Sequence, residues 1–204
     1  PTPTPTATPV PATTILATGR SPSVEPTVRA PRPLQFPNTA GFAVYFIDVG
    51  QGDATLIVAD DGSSLLIDGG RSKGRIRERL NALNIKDLDA IAATHPDADH
   101  IGGLIEVLGM YDVERIFLNG GQSSSKTFAT FSDLVRREGA TVSVLQRNNT
   151  IQLGDMSIEV IHPAGLTGDS NADSLVLQLG CGDVVVLLTG DSEIGSEISM
   201  LDGG

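Results

Sequence analysis

Tryptophan is absent, cysteine occurs once and aromatic residues make up only 4% of the 204 residues. A lone thiol excludes a disulfide within the chain and any Cys-rich zinc ribbon. Cys181, set between Gly180 and Gly182, reads as a small residue in or beside a strand. With so few aromatics the core has to come from Ile, Leu, Val and Ala. No run of 18 apolar residues occurs, so no segment reads as a membrane span. Basic charge is scarce: 14 Lys and Arg against 25 Asp and Glu give a net charge of −11. The first 40 residues hold three Arg and one Glu, so about −13 falls on the rest. An acidic body argues against broad electrostatic attachment to nucleic acid and suits a protein that holds cations.

Proline is nearly confined to one end, with ten of twelve before residue 40. A chain opening P-T-P-T-P-T-A-T-P-V-P-A-T-T favours extended, polyproline-like conformations and cannot bury a core. Residues 1–40 are therefore expected to be a disordered tail or linker. Pro/Thr-rich stalks of this kind often tether exported domains, so an extracellular or surface-tethered location is expected. No signal peptide is visible; the chain opens at Pro1 without an initiator Met, and its natural start is expected upstream. Residues 41–204 are long enough for one domain with a sizeable core.

Within that domain, hydrophobic spacing predicts strands over 42–49, 54–59 and 64–68, the last two joined by a D-D-G hairpin turn. A helix is expected over 74–84, where Ile76, Leu80 and Leu83 recur at helical spacing. A short buried strand over 90–94 and helices over 101–109 and 127–138 follow. Strands are expected over 113–118, 141–145, 150–153 and 157–161, with a hairpin over 174–179 and 184–189. Strand pairs alternating with helices indicate an α/β protein.

The densest chemistry lies in T-H-P-D-A-D-H-I-G-G, residues 94–103, which holds two of the three histidines, His95 and His100, beside Asp97 and Asp99. Two carboxylates about 4 Å apart repel by roughly 4 kcal/mol at an effective dielectric near 20. Full solvation or a bound cation relieves that cost, and His nitrogen with Asp oxygen is the donor set of a divalent hydrolytic metal. A plain turn with Asp99 as N-cap would need one such residue, not four. After the I-D-G-G turn come Arg71, Lys73, Arg75, Arg77 and Arg79. On a continuous helix Arg71, Arg75 and Arg79 share a face that could hold a phosphate backbone, although a solvated face accounts for it too.

Four segments together resemble the metallo-β-lactamase superfamily, in particular the soluble domain of ComEC-type competence proteins. They are F-I-D-V-G-Q-G-D-A (46–54), L-I-D-G-G (66–70), T-H-P-D-A-D-H-I-G-G (94–103) and the stretch from N-A-D-S to L-L-T-G-D (171–191). The resemblance implies an αβ/βα sandwich with a metal site along one edge. It implies two divalent ions, Zn or Mn with Mg as a further candidate, that activate water for hydrolysis. His95 and Asp97 would serve one ion, Asp99 and His100 the other, and Asp191 would bridge them; Asp99 would also accept a proton. Asp68 would orient the histidine loop, with Asp53 and Asn171 beside the site. His162 reads as structural, and Ser174 as a polar residue beginning a strand.

The resemblance implies a phosphodiester substrate, single- or double-stranded DNA, with a lactam, lactone or thioester hydrolase and a non-catalytic module as alternatives. The family pattern continues past T-G-D to an H-H-G-S block that supplies one more metal ligand. That block is absent, so the expectation is a fragment lacking a ligand and the last layer of the sandwich. The sequence leaves the oligomeric state open.

Overall fold

In a computed structural model the described residues are 13–18, 41–71, 73–154, 156–181 and 184–202. Seven strands form one sheet in sequence order. They are β1 (Thr13–Thr18), β2 (Gly41–Phe46), β3 (Thr55–Ala59), β4 (Ser64–Ile67), β5 (Ala90–Ala93), β6 (Arg115–Leu118) and β7 (Thr141–Val144). The pairs from β1 to β4 are antiparallel, and those from β4 to β7 are parallel. A second, antiparallel sheet runs β11-β10-β9-β8. Its strands are β8 (Thr150–Leu153), β9 (Met156–His162), β10 (Val176–Cys181) and β11 (Val184–Leu188). The helices are α1 (Arg75–Ala82), α2 (Ala98–Val107), α3 (Lys126–Glu138) and α4 (Ile194–Asp202).

Side-chain alternation along the first sheet divides the interior into two cores, because successive residues of a strand point to opposite faces. One face presents Ala43, Tyr45, Leu56, Leu66 and Ile91 to Ile76 and Leu80 of α1, Ile101 and Leu104 of α2, and Phe131 and Val135 of α3. The other presents Val44, Ile57, Leu65 and Ala92 to Ile151, Ile158, Val160 and Leu177 of the second sheet. Each of the buried Leu, Ile and Val side chains among them contributes about 1.5–3 kcal/mol of transfer free energy. On the far side of the second sheet, Arg147 donates to Ser199 O of α4 at 2.7 Å and to Ile161 O of β9 at 3.0 Å, tying that helix down. The result is the expected two-sheet sandwich with helices outside.

Two expectations change. The segment T-T-I-L-A-T lacks proline and is rich in β-branched residues, and it pairs as β1 with β2, from Thr13 opposite Phe46 to Thr18 opposite Gly41. These six residues are thus sheet, not an unpaired tail; the rest of residues 1–40 lies outside the described residues. Helix α2 begins at Ala98, three residues before the expected start. Asp97, in extended conformation, is the capping residue, and its carbonyl accepts from the amides of His100 and Ile101 at 3.0 Å. Asp99 and His100 therefore sit in the first turn of the helix, and Asp99 is not the N-cap.

Among the described residues no helix is long and apolar enough to cross a membrane.

Candidate metal centre

The carboxyl ends of parallel strands β4 and β5 deliver Asp68 and His95, the place where open α/β sheets put their ligands. Close backbone approach holds this end together. The amide of Gly69 donates to His100 O at 2.8 Å, and Gly103 donates to Gly70 O at 2.8 Å. A Cβ on Gly103 would lie 1.9 Å from Gly69 O, which explains why glycines recur in both D-G-G and I-G-G. The first turn of α2 thereby rests directly on the loop after β4.

Asp68 is 1% exposed and adopts φ 57°, a left-handed conformation that Asp tolerates better than most residues. Its Oδ1 accepts from the Thr94 amide at 2.9 Å. Its Oδ2 accepts from Thr94 Oγ1 at 2.6 Å and lies 2.8 Å from His100 Nδ1. The Thr94 hydroxyl has one proton, spent on Asp68, so it must accept from His95 Nδ1, 3.0 Å away. Ser174 Oγ lies 3.2 Å from the same nitrogen. Both histidines are thus oriented through Nδ1, so that each presents Nε2, once unprotonated, as a ligand atom.

The two Nε2 atoms converge. His100 Nε2 is 3.2 Å from Asp191 Oδ1, and ligand atoms of His95, His100 and Asp191 all lie within 4.8 Å of one another. His95 Nε2 is buried, has no hydrogen-bond partner and stands 3.8 Å from Asp97 Oδ2. A buried nitrogen without a partner costs about 1–3 kcal/mol, and a cation at this point would relieve it. The donor set of imidazole nitrogens and carboxylates fits a divalent transition metal.

The charge environment agrees. Burial alone would push His100 down, but the hydrogen bond and charge of Asp68, with Asp191 and Asp53, outweigh it and raise its pKa to about 9. His95 is lowered, by burial first and then by the neighbouring His100. Asp53 is raised, by burial first, with Asp68 and Asp191 adding to it against His100 and His95. It lines a cleft of about 220 Å³ together with Asp68, Thr94 and Gly190.

The remaining expected residues fall outside the His–His–Asp nucleus. Asp97 accepts from Ser170 Oγ at 2.7 Å. Asp99 accepts from Gln51 Nε2 at 3.0 Å, and Arg71 donates to Gln51 Oε1 at 3.3 Å. Burial acts to raise the Asp99 pKa, yet hydrogen bonds from the backbone and Gln51, with the charges of His100 and Arg71, hold it below the usual carboxylate range. The backbone carbonyl of Asn171 accepts from Ser174 N at 3.0 Å; no hydrogen bond of its side chain is described.

The basic stripe is broken up. Arg71 and Lys73 precede α1, which starts at Arg75, so the three arginines do not share a helix face. Arg79 donates to Asp48 O and Oδ2, both at 3.1 Å. His162 Nε2 pairs with Ala172 O at 2.8 Å, away from the centre.

Thr94, Ser170 and Gln51 are contributors that the sequence reading leaves out, and Ser174, read there as a polar residue beginning a strand, joins them. Their hydroxyls and amide act on other side chains, and the polar run D-S-N-A-D-S (169–174) ahead of an apolar strand was the available hint.

The family model for the metallo-beta-lactamase superfamily matches residues 47–203. The ComE operon protein 3 of Bacillus subtilis (strain 168) is 31% identical over 179 residues, covering 78% of this chain and 23% of its own length. A Ribonuclease Z of Metallosphaera sedula is 39% identical over 87 residues, 38% of this chain and 30% of the relative. The chain therefore spans less than a third of either relative's length. A Cronobacter sakazakii metallo-beta-lactamase, mutant S60 of its HARLDQ motif, superposes with a TM-score of 0.50 at 17% identity. That match covers 71% of this chain and 58% of the other and shows likeness of fold.

Proposed function

The chain belongs to the metallo-beta-lactamase superfamily, and on that premise we propose that it is a metal-dependent hydrolase acting on phosphodiesters. The observation that carries the reading is the buried, partnerless Nε2 of His95, within ligand distance of His100 and Asp191. His95, His100 and Asp191 would hold divalent ions, Zn or Mn with Mg as the harder alternative, with Asp97 and Asp53 as the nearest further carboxylates. Asp99 would have to exchange Gln51 for an ion in order to join them. When bound, such ions supply Lewis acidity and a nucleophile at neutral pH.

The protein's own part is positioning. Asp68 fixes both imidazoles, directly at His100 and through Thr94 at His95, so no reorganisation is needed when charge develops. Arg71, in the loop before α1 and hydrogen-bonded to Gln51, and Arg75, the first residue of α1 and beside Gly50, offer cations to a phosphate backbone. The resemblance to two proteins named Ribonuclease Z supports phosphodiester as the substrate class.

The test is hydrolysis of bis(4-nitrophenyl) phosphate and of single- and double-stranded DNA, after dialysis and addition of Mn, Zn or Mg in turn. Metal-dependent cleavage that is lost in His95→Ala and His100→Ala supports the reading. Retained metal with hydrolysis of lactams, lactones or thioesters alone would replace it.

A further inference from the structure

Beside the metal centre lies a second cavity of about 330 Å³ that the site described above does not use. His95 is common to both: it is among the residues that line this cavity, and a ring nitrogen of its side chain lies within 4.8 Å of ligand atoms of His100 and Asp191. Leu118, Phe128, Phe131 and Val144 supply apolar wall, and Gln122 stands among the lining residues as a polar group. The only described hydrogen bond of the Gln122 side chain runs from Nε2 to Gly120 O, a long 3.3 Å. Its carboxamide therefore keeps capacity for another partner.

We propose that this cavity is a nucleobase subsite, holding the base of a nucleotide adjoining the phosphodiester at the metal centre; it rests on the phosphodiester reading. Three features select a base over a simple alkyl or acyl group. The cavity is lined by His95 and Pro96 of the loop that carries the metal centre, and in a nucleotide chain a base is carried one sugar away from each phosphate. A base has apolar faces, matching the phenylalanine and aliphatic walls, and a polar edge, matching the carboxamide. The size lies in the range of small-molecule pockets, about 300–1,000 Å³. A base that is paired and stacked in a duplex cannot enter such a hole, so the subsite demands an unpaired nucleotide. The domain would accordingly prefer single-stranded over double-stranded substrate, despite its acidic body, because contact with an aromatic wall does not depend on net charge.

The experiment uses the dinucleotide pTpT and an analogue of equal charge with one base replaced by hydrogen, titrated into 15N-labelled protein. The expected result is that pTpT shifts the backbone amides of Gly120, Gly121 and Gln122. The abasic analogue should bind about tenfold more weakly, the loss expected for one base–aromatic contact. Val144→Trp fills the cavity from β7, where Val144 is 55% exposed, and should abolish the shifts. Ser132→Phe fills it from α3 and keeps the test intact if the first variant does not fold. Equal affinity for both ligands, absence of pTpT binding, or binding untouched by both filling variants would overturn the subsite. Failure of the phosphodiester reading shows separately, as absent metal-dependent cleavage of bis(4-nitrophenyl) phosphate, which carries no base.

Discussion

Asp68 Oδ2 lies 2.8 Å from His100 Nδ1, a contact between two side chains each 1% exposed. The same carboxylate receives the Thr94 hydroxyl, so one buried anion aligns both histidines. Asp68→Ala should lower metal affinity about 10–100-fold, the cost of losing a group that orients ligands. It should also destabilise the fold by about 3–5 kcal/mol, because a buried pair is broken. Titration with Zn or Mn and denaturant melts in chelator read the two effects independently. Wild-type metal affinity in the variant would refute the orienting role.

Metal binding should expel a proton. In the metal-free protein His100, with a pKa of about 9, is charged at neutral pH, whereas a ligand imidazole must be neutral. Calorimetry in buffers of different ionisation enthalpy at pH 7.5 should show release of about one proton from His100. The release should fade as pH rises through 9. His95, whose pKa is lowered, adds none at that pH.

The same group makes metal-free stability pH-dependent. Its folded pKa lies above its unfolded value of about 6.5. The stabilisation is therefore fully present below that unfolded value and is lost as pH climbs through about 9. Urea midpoints in chelator should fall between pH 7 and 10 for the wild type and respond less in His100→Gln. A flat wild-type profile would contradict the ionic cluster of Asp68, His100 and Asp191.

Glycine substitutions should separate the loop contact from the ligands. Gly103→Ala forces a Cβ to within 1.9 Å of Gly69 O and should cost about 1–3 kcal/mol. Gly52→Ala is worse placed: its Cβ would meet Asp99 O at 1.6 Å, at a φ of +85°. It should lower both thermal stability and metal content. Gly139→Ala, which also has positive φ but no atom within 4 Å, should cost only the backbone strain.

Arg75 and Arg79 should behave differently in spite of their equal charge. Arg79 is committed to Asp48, and Arg79→Ala should change stability by no more than about 1 kcal/mol while leaving the salt response of DNA binding unaltered. Arg75→Ala should reduce the salt slope of binding by about one, the signature of one lost phosphate contact. The converse ranking, measured by anisotropy at several salt concentrations, would remove Arg75 from the phosphate path.

Much of this protein was legible in order along the chain. The apolar runs at Phe42–Phe46 and Thr55–Ala59 and the helical spacing of Ile76, Leu80 and Leu83 identify strands and helix, because a strand covered on both faces reads as a continuous apolar run and a helix buries one face at period 3.6. The crowding of His95, Asp97, Asp99 and His100 points to a cation site from sequence, since adjacent carboxylates repel without one; the fold gathers two of these, His95 and His100. What no linear reading decides is which donors meet. Only the fold carries Asp191 across from the second sheet to His100, turns Asp97 toward Ser170, ties Asp99 to Gln51 and separates Arg79 from Arg71. Backbone approach between the loop after β4 and the first turn of α2 sets those pairings. Contacts between residues distant in sequence depend on how the layers pack, a property that local spacing does not encode.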